Sequence, residues 1–234
     1  MISDQYQEKR IFLFAGHYGS GKTEIAVNFA LDLAKQNHKT AIVDLDIVNP
    51  YFRTNDARDI LNKNGVRVVA SQYANTNVDI PALPAEINGL FEDKTLKVVF
   101  DVGGDDLGAK AVSRYRDDFV CNQTYMFFVV NIRRPMTTSL SLIEQAFYEI
   151  QDSARLSFNA IINNTNLLQK TTEKDLSEGL DIITRLSDKL KLPIAFNAVM
   201  DTVPEKVTTA FVQQSARIDI PTFFIRKHIK MDYI

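Results

Sequence analysis

From residue 16 to residue 23 the chain reads Gly16-His17-Tyr18-Gly19-Ser20-Gly21-Lys22-Thr23, a complete GxxxxGK[ST] spacing. Each residue type answers a need of phosphate chemistry. Glycines let the backbone wrap closely round an anion with successive N–H groups turned inward. A helix opening at Lys22 would aim its positive end at the same anion. The Lys22 ammonium is placed to bridge the β- and γ-phosphates of a nucleoside triphosphate, and the Thr23 hydroxyl to complete the coordination of Mg²⁺. Glu24, next in line, opens that helix and is counted with residues 16–23 as part of the nucleotide-binding set. The plain alternative is a glycine-rich turn that binds nothing. An apolar strand before the loop and an amphipathic helix after it weigh against that alternative.

Two acidic segments could serve the same chemistry. Val43-Asp44-Leu45-Asp46 and Phe100-Asp101-Val102-Gly103-Gly104 each close an apolar run. Carboxylates at the carboxyl ends of parallel strands face the crevice where ligands bind. Asp101 is the candidate to hold Mg²⁺ through water, and Gly104 to offer its N–H to the γ-phosphate in a mobile sensing loop. Asp46 is the candidate for polarising an attacking water or touching the metal shell. Asp44 shares one side of an extended strand with Asp46, and capping a loop or pairing with a lysine is an equal role for it. Arg53 suits either transition-state charge stabilisation or an ordinary ion pair. Arg133 and Arg134 read as a solvated turn before Pro135, with an oxyanion clamp as the alternative. Residues 71–79 form a polar, turn-rich stretch suited to a substrate or partner loop.

These residues need elements to position them. Apolar runs predict strands over 10–15, 40–45, 66–70, 97–102, 124–131, 158–163, 194–199 and, more weakly, 222–225. Most are continuous rather than alternating, as parallel strands covered on both faces require. Stretches of helical period fall between them, over 23–36, 55–63, 84–91, 109–119, 139–151, 172–190 and 204–214. The β-α alternation predicts a doubly wound, mostly parallel α/β sheet flanked by helices, with right-handed crossovers. No linker, repeat or low-complexity tract interrupts it, so one domain is expected over 1–234.

Composition narrows the function. The chain has 234 residues and a formal net charge of −2, from 27 Lys+Arg and 29 Asp+Glu. Near-neutral charge gives no signal for gripping a nucleic-acid backbone. Cys121 is the one cysteine, and His17, His38 and His228 are the three histidines. Disulfide, all-cysteine metal and multi-imidazole chemistry are thereby set aside. The first ten residues are polar, and no run approaches a membrane span. A cytoplasmic location is the expectation. The basic stretch 226–230 reads as an ordinary solvated tail.

Taken together, the phosphate loop, Ile42-Val43-Asp44-Leu45-Asp46-Ile47-Val48-Asn49-Pro50 and Asp101-Val102-Gly103-Gly104 resemble the nucleotide-binding domain of the MinD/ParA and CobQ/CobB proteins. That branch of P-loop NTPases also holds the nitrogenase iron protein and dethiobiotin synthetase. The resemblance runs from about residue 10 to residue 200. It implies residues 16–23 on the phosphates and Mg²⁺, Asp46 in switch I, and residues 101–104 in switch II. It sets Asn163 or Asn164 where the family's base-contacting asparagine sits, with a plain turn as the equal alternative. The implied activity is slow hydrolysis of ATP, with nucleotide state controlling association with a partner protein or a face-to-face homodimer.

The sequence also departs from relatives. Partitioning-type members carry a second lysine after the first loop glycine that reaches across the sandwich dimer; this chain has His17 there and lacks that trans-acting lysine. Metallochaperone GTPases carry NKxD and Cys/His ligands; here 163–166 is Asn-Asn-Thr-Asn, which favours adenine. One cysteine is too few for the iron protein's cluster. A small-molecule kinase or ATP-dependent ligase resembling dethiobiotin synthetase is the alternative reading.

Overall fold

Strands β1 (Ile11–Ala15), β2 (Thr40–Leu45), β4 (Lys97–Val102) and β5 (Thr124–Val130) are apolar on both faces, and almost every residue in them is buried. Such strands are stable only between two helical layers. They pair in parallel with β3 (Val66–Val69), β6 (Ala160–Asn163), β7 (Ile194–Met200) and β8 (Thr222–Ile225) in one sheet of order β3-β2-β4-β1-β5-β6-β7-β8. The computed structural model describes residues 1–45, 54–69, 86–104 and 106–229. Readings placed on Asp46, Arg53 and residues 71–79 lie outside them.

Successive residues of β1 separate two cores. Phe12 and Phe14 pack with α1 (Lys22–Lys35), the start of α7 (Glu173–Leu190) and α8 (Glu205–Ala216). Ile11, Leu13 and Ala15 face the opposite layer, built from α3 (Glu86–Glu92), α4 (Asp106–Ser113), α5 (Arg116–Cys121), α6 (Leu140–Ala154) and the later part of α7. Helix α2 (Arg58–Lys63) contributes Leu61 to the first core. This is the doubly wound arrangement the sequence implies, with every observed pairing parallel.

Of the boundaries that differ from expectation, two have a visible packing cause. The helix expected over 109–119 is two helices, broken around Arg114 and Tyr115, and α5 turns Phe119 edge-on to Phe91 and Phe100. Strand β6 begins at Ala160 rather than 158, because Phe158 packs on Phe128 and Phe147, and the Asn159 side chain accepts the N–H of Met126 at 2.7 Å.

The order also fixes where a ligand can go. From β1 the chain travels outward through β2 to β3, returns to β4, then crosses to β5 on the other side of β1. Neighbouring crossovers leave β1 in opposite directions, and the carboxyl end of such a strand opens into a crevice. The loop of residues 16–21 leaves β1 at that point.

Candidate functional site

The loop between β1 and α1 is tightened by the Ser20 N–H donating to His17 O at 3.1 Å. Gly19 and Gly21 have φ of +77° and +84°, a region costly for residues with a Cβ. Gly21 also leaves no room: a Cβ there would lie 2.3 Å from Asn164 Nδ2. That amide nitrogen donates to Ser20 O at 2.7 Å, so β6's exit braces the loop from below. Arg134 braces it from β5's exit, donating through Nε to Gly19 O at 2.9 Å.

Helix α1 then begins at Lys22 with Gly21 as its N-cap and no side-chain cap. Its first-turn N–H groups have no intrahelical acceptor, which makes this end an anion site. Ser20 Oγ is buried with no hydrogen-bond partner among the described residues. Lys22 and Thr23 are buried, 5% and 7% exposed. The Lys22 ammonium lies beside Gly104, where a Cβ would come within 3.0 Å of Nζ and 2.8 Å of Tyr18 N. The loop after β4 therefore rests directly on the phosphate loop.

Asp101 is fully buried at the end of β4, level with Asp44 on β2. Residues level across parallel strands point to the same side. Asp101 is also level with Phe14, whose ring is in the α1 core, so both carboxylates face the layer that carries Thr23. Thr54 Oγ1 donates to Asp101 Oδ2 at 3.3 Å. Among the described residues no group of three or more His, Cys, Asp or Glu could cage a metal. One hydroxyl and carboxylate oxygens, completed by phosphate and water, are a donor set that suits Mg²⁺ rather than a softer ion.

A cavity of about 270 Å³ opens from the loop. Its near end is formed by Tyr18, Gly19, Gly21, Lys22, Thr23 and Arg134. Asn131, Asn164 and Asn166 line its middle; Leu168, Met200, Ile225, Lys227 and Ile229 close the end toward β7 and β8, with Glu24 on the α1 side. Gly16, His17 and Ser20 shape the loop without lining the cavity, and Asp101 and Gly104 lie on its β4 side.

The asparagines part company. Asn163 is off the cavity: its Nδ2 donates to Asn197 Oδ1 at 2.8 Å and its Oδ1 accepts from Thr165. Asn164 lines the cavity, with its amide committed to Ser20 O and Asn166 Nδ2. The two arginines part as well. Arg133 turns away to Asp175, at 2.8 Å, and to Glu178, and these ion pairs hold its pKa above the usual guanidinium value.

The Arg226 and Lys227 side chains are exposed, as a solvated tail implies, but the backbone of residues 226–229 and the Ile229 side chain depart from that expectation. Glu24 accepts the backbone N–H groups of His228 at 2.6 Å and Ile229 at 3.2 Å, and Ile229 is 5% exposed. Asn28 exchanges hydrogen bonds with the Arg226 backbone at 2.8 and 2.9 Å. The sequence carries no local signal for these contacts, since the partners are about 200 residues apart. Burial outweighs the two N–H donors and the nearby Lys227, and pushes the Glu24 carboxyl up to about 7.

No helix among the described residues is long and apolar enough to cross a membrane. The fold is similar to that of FtsY from Mycoplasma mycoides, with a TM-score of 0.55, 17% identity, and 90% of this chain and 68% of that one covered. It is similar to the cell division protein FtsY from Thermotoga maritima, at 0.54, 15% identity, 85% and 63%. It is also similar to signal recognition particle receptor FtsY from Elizabethkingia anophelis in complex with GDP, at 0.51, 16% identity, 82% and 57%. At such identities the likeness is one of fold, and the chain spans 57–68% of those chains' length. No curated protein matches the sequence. The family model of the CobQ/CobB/MinD/ParA nucleotide-binding domain matches residues 11–219, and the chain belongs to that family.

Proposed function

We propose that the chain, acting as one nucleotide-binding domain over 1–234, binds Mg²⁺–ATP in this cavity and hydrolyses it slowly. Nucleotide state would then control its association with a partner protein or a second copy. The observation that carries this reading is the loop of residues 16–23, which aims the open end of α1 into a cavity whose lining continues from the loop to Met200, Ile225 and Ile229.

In this reading the backbone N–H groups of the loop hold the β-phosphate, and Lys22 bridges the β- and γ-phosphates. Thr23 and, through water, Asp101 are the residues that would hold Mg²⁺. The ion, when bound, neutralises charge on the phosphate oxygens. Gly104, already against Lys22 and Tyr18, is placed to sense the γ-phosphate. Asp46 orients a water whose oxygen attacks the γ-phosphorus while the bond to the β–γ bridging oxygen breaks, and takes its proton or passes it to the departing phosphate. Of Arg133 and Arg134, the one that stands at the phosphate end is Arg134, donating to Gly19 O. Adenine is preferred because 163–166 lacks the NKxD pattern; the GDP in the FtsY of Elizabethkingia anophelis makes GTP the necessary control.

The test is steady-state phosphate release with ATP and with GTP. ATP turnover should fall by about 10²-fold or more in Lys22→Ala and in Asp46→Ala. Lack of binding of either nucleotide at millimolar concentration would overturn the reading. Turnover that appears only when a metabolite is added would make the chain a kinase or ligase instead.

A further inference from the structure

Glu24 sits in the first turn of α1, where an acidic side chain is well placed for the helix dipole, and it is used for something else. Both of its oxygens are spent on the backbone of the segment that follows β8, at His228 and Ile229. One turn along the same helix face, Asn28 holds Arg226 from both its N–H and its C=O. Residues 226–229 form no strand, so these side chains give the N–H groups of residues 226, 228 and 229 their acceptors and fix the path of the segment.

That path makes one wall of the cavity. Ile225 and Ile229, 1% and 5% exposed, turn inward, the exposed Lys227 lines the cavity at its rim, and Leu168 and Met200 complete the lining. The neighbouring amides of Asn164 and Asn166 are already committed to the loop and to each other. Apart from Lys227 at the rim, this end is lined by aliphatic side chains, which suit the face of a heterocyclic base better than a phosphate.

We propose that residues 226–229 are the base-side wall of the nucleotide pocket, and that Glu24 and Asn28 are positioning residues that hold this wall against α1. The proposal rests on the reading that the cavity takes a nucleotide. Affinity then has two separable parts. The phosphate loop grips the phosphates; the wall, assembled by Glu24, grips the nucleoside.

Inorganic tripolyphosphate with Mg²⁺ carries the first part without the second. Calorimetric titration of the full chain at pH 8 with ATP and with tripolyphosphate, each with Mg²⁺, separates them. Glu24→Ala should lose about tenfold or more in ATP affinity, since two backbone N–H groups lose a charged acceptor, with tripolyphosphate affinity held within about twofold. Glu24→Gln, which keeps one acceptor oxygen, should recover part of the loss. Ile229→Ala leaves the backbone bonds intact and should weaken ATP alone by shrinking the apolar wall.

Equal weakening of both ligands in Glu24→Ala and Ile229→Ala, or no weakening of either, overturns the proposal. A wild-type chain that binds neither ligand overturns the nucleotide reading itself, and the wall with it. Wild type that binds both ligands equally leaves the nucleotide site standing and removes the wall.

Discussion

At Glu24 two demands on one carboxyl oppose each other. The His228 and Ile229 N–H groups favour the carboxylate, and burial disfavours it strongly enough to raise the pKa from an ordinary 4.5 to about 7. The unfolded chain releases this proton near pH 4.5, whereas the folded chain keeps it until about pH 7. The contribution of Glu24 to stability is therefore full below about pH 4.5 and is lost as pH rises through 7. Glu24→Gln removes the titration. Thermal midpoints from pH 5 to pH 8 should shift progressively in favour of the variant relative to wild type as pH rises. Parallel midpoint curves would mean that this carboxyl titrates normally. No charge count would have revealed it, because burial in the folded chain raises the pKa and the N–H groups that oppose it come from a segment some 204 residues away.

The elements that carry the loop are locked by aromatic rings. Phe127 on β5 stacks on Phe14 of β1 at 5.0 Å and meets Phe29 of α1 at 6.0 Å and Phe196 of β7 at 6.2 Å. It is fully buried. One side chain thus ties together both elements flanking the phosphate loop. Phe127→Ala should cost about 3–5 kcal/mol in urea unfolding, from lost transfer energy and the cavity left behind. A cost below about 1 kcal/mol would mean that β1 and α1 are positioned by other contacts.

The same two-sided burial explains what could be read from sequence. β2 and β4 run over the residues their apolar patterns indicate, because a strand covered on both faces has little choice of composition; β8 also falls on the expected 222–225, though as an edge strand with Phe224 exposed. The phosphate loop was legible because its chemistry lies within eight consecutive residues, 16–23. The break near Tyr115 was not, since apolar period continues through it and only Phe119's partners on α3 and β4 decide the turn. The distal cavity wall was equally silent. Residues 226–229 look like any tail until α1 is beside them, and Asn28 looks like an ordinary polar helix residue until it is found holding Arg226.

Across the whole molecule, α1 joins two ends of one cavity. Lys22 in its first turn reaches the β4 side, where Gly104 rests on the phosphate loop; Glu24 and Asn28 reach the β8 side and hold residues 226–229. An α-helical turn rises about 5.4 Å, so Lys22, Glu24 and Asn28 lie within two turns of one helix. A ligand touching both ends is therefore sensed by one rigid body, while a ligand touching one end engages only its own side. Amide hydrogen exchange distinguishes these cases, because protection reports local opening. A non-hydrolysable ATP analogue should slow exchange both in the peptide containing residues 103–104 and in the one containing 226–229. ADP should protect 226–229 and leave 103–104 largely unchanged, since it lacks the γ-phosphate that Gly104 is placed to sense. Tripolyphosphate should do the reverse. Protection of both segments by all three ligands would mean that the two ends close together whatever is bound, and that the β4 loop does not distinguish the triphosphate from the diphosphate state.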